Sequence, residues 1–195
     1  MSMEQTPAHG PVQAVLSAYR RIVARVEHIL EGWFIGLSAR VLFLAILLPY
    51  YLNSAATKVG DGFFGVFNPS AGAFAQILPP IAELYVYDTA AIPFFPWHLI
   101  VIAGTLAELI LPVLIVAGLL TRLSALGMIG FVIVQTVVDM TFHGLDAGAW
   151  FDRQAGDILD QRLLWVFPLV LLVTSGPGRV SLDALAARLR PGWFR

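Results

Sequence analysis

The stretch that decides the fold runs from His98 to Leu120, HLIVIAGTLAELILPVLIVAGLL, and is apolar but for one acid near its middle, Glu108. At a rise of ~1.5 Å per residue it is long enough to cross a hydrocarbon core of ~30 Å. A carboxylate at that depth costs roughly 3 kcal/mol even on the mildest insertion scale. Its side chain is too short to reach water from either end. Glu108 must therefore face the interior of a helix bundle, where it is paired, protonated or beside a water-filled cavity.

Composition agrees with a membrane setting. The 195 residues are 58% hydrophobic and 13% charged, whereas a soluble domain carries about 25% charged residues. A net charge of −1 gives no reason to expect nucleic acid. Cysteine is absent, which removes thiolate nucleophiles, disulfide exchange, iron–sulfur ligation and cysteine-based zinc sites. The N-terminus is polar and then amphipathic, so no secretory signal is expected.

Working outward, three further apolar segments join the first, giving spans at Leu37–Thr57, His98–Leu120, Leu123–Phe142 and Ile158–Ser175. Pro49, Pro112 and Pro168 interrupt three of them and free the carbonyls of Ala45, Glu108 and Leu164. Nine of the 12 basic residues (Arg20, Arg21, Arg25, Arg40, Arg122, Arg179, Arg188, Arg190 and Arg195) fall on one side if both termini are cytoplasmic. Lys58, Arg153 and Arg162 fall on the other, with Asp61, Glu83, Asp88, Asp146, Asp152, Asp157 and Asp160. The positive-inside rule then predicts N-in, C-in topology. The expected fold is an all-α membrane protein, a four-transmembrane-helix up-down bundle with an N-terminal amphipathic interfacial helix.

The domain reading is residues 1–34 as a cytoplasmic amphipathic helix, 35–178 as the membrane domain, and 179–195 as a short amphipathic tail. In the first, Val12, Val15, Leu16, Tyr19, Ile22, Val23, Val26, Ile29 and Leu30 form one apolar stripe at helical spacing, with Arg20, Arg21, Arg25 and His28 elsewhere on the surface. Such a helix either lies along the inner leaflet or docks a cytoplasmic protein. In the tail, Ser181 is the predicted N-cap and Pro191 the stop. The loop 60–97 is rich in proline and in Phe63, Phe64, Phe67, Phe74, Phe94, Phe95 and Trp97. That aromatic content predicts a lid packed on the outer mouth of the bundle rather than a disordered linker.

Polar groups inside the spans mark the candidate site. Gly104, Thr105, Glu108 and Pro112 share one side of the second span. Gln135, Asp139 and His143 repeat at i, i+4 and i+8 on one face of the third. Asp157 and Gln161 are four apart next to Arg162, and the first span offers Arg40, Asn53 and Lys58. The plainer readings are that Arg40 snorkels to headgroups, that Lys58, Arg162 and His98 anchor at the interface, and that Asp139 and His143 are boundary residues. The functional reading is a pocket opening to the outer face. Glu108, Asp139 and His143 transfer protons there, and Gln135, Glu108 and Asn53 bind the ligand. An ion pair between Arg40 and Glu108 is expected to hold the first two spans together. Asp139, His143 and His98 also make a conceivable metal or haem donor set, but nothing else in the chain supports one, and no metal is expected.

The segments AGTLAELILPVLIVAGLLTRLSALG and GPGRVSLD, with the arginine of SARVLFLAILLPYYLNSAATKV, resemble the DoxX family of small four-helix bacterial membrane proteins over about residues 37–185. The resemblance implies association with membrane redox chemistry, as a subunit of a quinone-linked complex, and carries over Arg40, Glu108 and the GPGR tail. The chain has no nucleotide-binding fingerprint, so electron chemistry would come from a bound quinone or from another subunit. The implied partners are the lipid bilayer, soluble or membrane redox subunits and further copies of the chain. A non-catalytic scaffold for soluble partners and a small transporter or metal-stress membrane protein are the competing functions.

Overall fold

A computed structural model describes residues 11–62, 64–148 and 158–189. The predicted roles of Phe63, Asp152, Arg153, Asp157, Arg190, Pro191 and Arg195 fall outside the described residues. The described chain is helical, with no strand. Its elements are α1 (Pro11–Leu30), α2 (Phe34–Ala56), α3 (Ala71–Ile77), α4 (Pro79–Leu84), α5 (Leu99–Ala117), α6 (Thr121–Phe142), α7 (Leu159–Ser175) and α8 (Leu182–Leu189). A kinked turn, Phe94–His98, leads into α5.

Among the described residues, three helices are long and apolar enough to cross a membrane: Phe34–Ala56, Phe94–Ala117 and Thr121–Phe142. The predicted fourth span is α7, with 17 residues, or about 25 Å of helix, shorter than a ~30 Å core. It packs with the others nonetheless, because α2 contacts α5 and α7, and α6 contacts α5 and α7. These four helices form a closed ring of neighbours.

Each ring helix is apolar on nearly all sides, yet only one stripe of each is buried. On α2 the stripe is Gly36, Ala39, Arg40, Phe43, Leu47, Tyr51 and Ala55, spaced three or four apart as a 3.6-residue repeat demands. It meets Met128 and Val132 of α6 and Trp165, Leu169 and Leu172 of α7 in one core. The opposite faces leave Leu44, Ile46, Ile110, Ile133, Val137 and Phe167 exposed. A helix that is apolar all round but buried on one side suits a lipid environment.

The α5 and α6 helices are joined by a tight turn in which Gly118 takes a left-handed conformation, φ 71°. Glycine is the residue that does this without strain. The turn forms part of a polar junction that closes one end of the ring. Arg40 donates through Nε to the carbonyls of Ile115 (3.2 Å) and Val116 (3.1 Å), and through Nη1 to Pro177 and Val180. Asp183 accepts from the amides of Leu120 (2.7 Å) and Thr121 (2.9 Å) and from the Thr121 hydroxyl (2.8 Å). It thereby satisfies orphan N–H groups at the start of α6. Ser181 caps α8 through Oγ, which accepts from Ala184 N at 3.1 Å. Gly36 permits the close approach of the tail, since a Cβ there would lie 2.5 Å from the Pro177 carbonyl carbon.

The segment 60–97 folds on its own small core instead of draping over the ring. Ala73, Phe74, Ala82 and Ile92 pack with Val101 of α5. Ser70 caps α3, its Oγ accepting from Ala73 N at 3.1 Å, and the Pro79–Pro80 pair opens α4, where proline is preorganised. Of the aromatics predicted to form a lid, Phe74 is buried and Trp97 packs beside it. Phe64, Phe67, Phe94 and Phe95 are exposed.

Candidate functional site

A cavity of about 690 Å³ lies at the end of the ring opposite the Arg40 junction. Five elements build it. The α5 helix contributes Glu108 and the small residues Ala103, Gly104 and Ala107; α6 contributes Gly127, Gly130, Phe131, Gln135, Asp139 and His143. Tyr50, Ser54 and Lys58 come from α2 and its end, Gln76 and Ile77 from α3, and Gln161 and Arg162 from α7. The volume lies within the usual ligand-pocket range of roughly 300–1,000 Å³.

The four residues read from the sequence as pocket-lining, Glu108, Gln135, Asp139 and His143, all line this cavity. Asn53, read as ligand-binding, does not; it is exposed on α2. The cover from segment 60–97 is Gln76 and Ile77, not its aromatic residues. His143 Nε2 lies 3.2 Å from the Gln76 carbonyl oxygen and ties the end of α6 to α3. Gln76 Nε2 donates to Thr57 Oγ1 at 3.1 Å, tying α3 to the end of α2.

Glu108 has a cation partner, and that partner differs from the one expected. Lys58 Nζ donates to Glu108 Oε2 at 2.9 Å, with both side chains almost fully buried. The same ammonium donates to Ser54 Oγ (2.7 Å) and to the Ser54 carbonyl (3.2 Å). Its three N–H donors are thus all used, which is what a buried ammonium requires. The predicted Arg40–Glu108 pair does not form. Arg40 points to the other end of the ring, where the freed carbonyls at the end of α5 and in the tail take its donors.

A second ion pair closes the opposite wall. Arg162 Nη2 donates to Asp139 Oδ2, and the guanidinium sits 4.2 Å from the Trp165 ring centroid. Two of the three interface anchors expected from the sequence, Lys58 at 3% and Arg162 at 6% exposed, are therefore buried, paired cations. Gln135 bridges the remaining polar groups. Its Nε2 donates to Tyr50 Oη at 3.0 Å, and its Oε1 accepts from Tyr51 Oη at 3.5 Å. The tyrosines in turn pack on Trp165, with ring centroids 4.7 and 5.9 Å away. The charged lining thus contains two cations and two anions, each paired across helices.

His98 stacks on Phe94 (5.7 Å), meets Phe74 edge to face (4.9 Å), and is not among the residues lining the cavity. Among the described residues no group of three His, Asp or Glu side chains is placed to hold a metal.

Some residues that line the cavity from α5 and α6 also reach the outer surface of the ring. There Ala103, Gly127, Gly130 and Val134 are exposed, and nothing lies within 4 Å of the position a Cβ would take on Gly130.

No protein-family model matches the chain. No solved structure matches it significantly. An uncharacterized protein of Haemophilus influenzae (strain ATCC 51907 / DSM 11121 / KW20 / Rd) is 30% identical over 101 residues. That alignment covers 51% of this chain and 60% of the relative, so the chain spans less than two thirds of the relative it matches.

Lys58 and Arg162 are the two cavity-lining cations whose burial and pairing the sequence reading missed. A signal was present in each case. Lys58 follows Ser54 by four positions at the end of an apolar helix, and Arg162 falls beside Gln161 in the first turn of α7. Both positions are compatible with snorkelling to water, and only the neighbouring helices decide between the two directions.

Proposed function

We propose that the chain is a DoxX-like integral membrane protein of the bacterial inner membrane, a four-span up-down bundle with both termini cytoplasmic, whose cavity binds a small, neutral, redox-active head group such as a quinone or quinol. The protein then serves as a quinone-interacting subunit of a membrane redox complex. The observation that carries this reading is the cavity itself: two cross-helix ion pairs that cancel in charge, beside amide, phenol and imidazole groups, in a space whose lining includes the exposed Ala103, Gly127, Gly130 and Val134.

Each feature favours that ligand class. A charge-balanced pocket inside a membrane gives a neutral ligand no electrostatic cost, while a charged one would disturb both pairs. Gln135, Tyr50 and His143 offer donors and acceptors for carbonyl or hydroxyl oxygens. The seam of Ala103, Gly127 and Gly130 suits a head group that arrives from the lipid phase with its tail left outside. Glu108, Asp139 and His143 are the groups that would exchange protons with such a ligand. Support for the DoxX likeness comes from the junction, where Arg40, the turn after α5 and the GPGR–SLD tail meet.

Titration of the purified protein with a fluorescent quinol analogue tests the binding. Saturable binding that is weakened in Asp139→Asn and Glu108→Gln is the expected result. An absence of binding, or equal binding in both variants, would replace this reading with that of a non-catalytic scaffold. Fusion of a reporter active only in the cytoplasm, after Arg195 or within 60–97, tests the topology, and activity from the loop fusion alone would reverse it.

A further inference from the structure

Among the described residues, none covers the apolar side of α1. Val12, Val15, Tyr19, Ile22, Val26 and Ile29 are each 47–70% exposed, an unusual state for a continuous stripe of large apolar side chains. The charges are arranged around that stripe in a specific way. Arg20 follows Leu16 by four residues and Arg25 precedes Ile29 by four, so one arginine runs along each edge, while Arg21 projects from the opposite face. Against these three cations α1 carries one acid, Glu27.

Position adds a second, independent observation. Only Glu31–Trp33 separates α1 from α2, which is long and apolar enough to cross a membrane. That elbow is pinned: Arg179 N donates to the Gly32 carbonyl at 3.1 Å, and Trp33 and Phe34 pack edge to face at 5.7 Å. The α1 helix therefore ends where the membrane-length helix α2 starts, with two aromatic rings at the junction, as is common at a membrane interface. The α8 helix emerges at the same end, beside the Arg40 junction, and exposes Leu182, Leu185 and Leu189 next to Arg188.

We propose that α1 is a lipid-docking helix that lies flat on the anionic leaflet of the membrane that α2 crosses. Its apolar stripe is buried among acyl chains, and Arg20 and Arg25 bind lipid phosphates from either edge. The occupant is the bilayer because the stripe is continuous with a membrane-crossing helix and the flanking charge complements anionic headgroups. This inference does not depend on what the cavity binds.

The chain has no cysteine, so single-cysteine variants of the full-length protein need no prior substitution. Ile22→Cys and Ala24→Cys place a fluorescent label on the apolar stripe and on the polar face. Each is reconstituted in vesicles of phosphatidylcholine alone or mixed with phosphatidylglycerol. With the anionic lipid, the label at position 22 should be quenched by nitroxide lipids and shielded from iodide, and the label at 24 the reverse. In pure phosphatidylcholine the contrast should shrink, as it should in Arg20→Gln/Arg21→Gln/Arg25→Gln with the anionic lipid present. Equal iodide access at the two positions would overturn the proposal. So would shielding of position 22 that is insensitive to lipid charge or that rises with protein density, since the cover would then be a second copy of the chain.

Discussion

Lys58 Nζ and Glu108 Oε2 lie 2.9 Å apart, and neither side chain exposes more than 4% of its surface. The pair joins the end of α2 to the middle of the most apolar helix in the chain. Because a buried charge without its partner is far costlier than the absent pair, the two residues should be thermodynamically coupled. Glu108→Gln and Lys58→Met should each destabilise the protein by ~3–5 kcal/mol, and the double variant should regain part of the loss. Thermal unfolding in detergent measures this. Strictly additive losses would show that the contact carries no coupling energy.

Arg40 should behave independently of Glu108. Its donors go to main-chain carbonyls of Ile115, Val116, Pro177 and Val180, none of which Glu108 shares. Arg40→Gln should cost about 1.5–3 kcal/mol, typical of hydrogen bonds to a charged group. Combined with Glu108→Gln, the losses should add to within ~0.5 kcal/mol. A large interaction energy in that cycle would restore the Arg40–Glu108 pairing and contradict the geometry described above.

The tail that closes the junction depends on a missing side chain at position 36. A Cβ on Gly36 would sit 2.6 Å from the Gly176 oxygen and equally close to Gly178 N. Gly36→Leu should force the tail from its seat and destabilise by ~1–3 kcal/mol despite the better helix propensity of leucine. Limited proteolysis should then cut within 176–183 faster than in the unaltered protein. An unchanged digestion rate would argue that the tail is not held there.

Filling the seam should separate ligand binding from stability. Gly130 faces open space and lines the cavity, so Gly130→Leu adds a side chain without a steric clash and removes a glycine from the interior of α6. The unfolding temperature should hold or rise while binding of a quinol analogue falls several-fold. Retention of full affinity would place the ligand elsewhere.

Much of this arrangement was legible in the residues. Hydropathy and length located α2, α5, α6 and α7 to within a few residues, since a helix boundary in lipid follows from where polar side chains resume. The i, i+4, i+8 spacing of Gln135, Asp139 and His143 placed all three on one face of α6, and they line one cavity. The depth of Glu108 alone required a partner or a cavity, and it has both. Local periodicity carries that much because it depends only on the geometry of a single helix.

What the residues could not decide was which helix meets which, and at what height. The sequence reading pairs Glu108 with Arg40 and makes Lys58 an interface anchor, although both are long cations on α2 or at its end. The choice depends on how α2 and α5 align and on where the GPGR tail returns to occupy Arg40. The cation for Asp139 came from α7, not from its own helix, and Asn53 proved to face away from the site. The segment 60–97 contributes Gln76 and Ile77 to the cavity instead of its phenylalanines because it buries Phe74 in a core of its own. These are contacts between elements far apart in the chain. Their free energy depends on packing that no single segment encodes, so tertiary structure alone selected them.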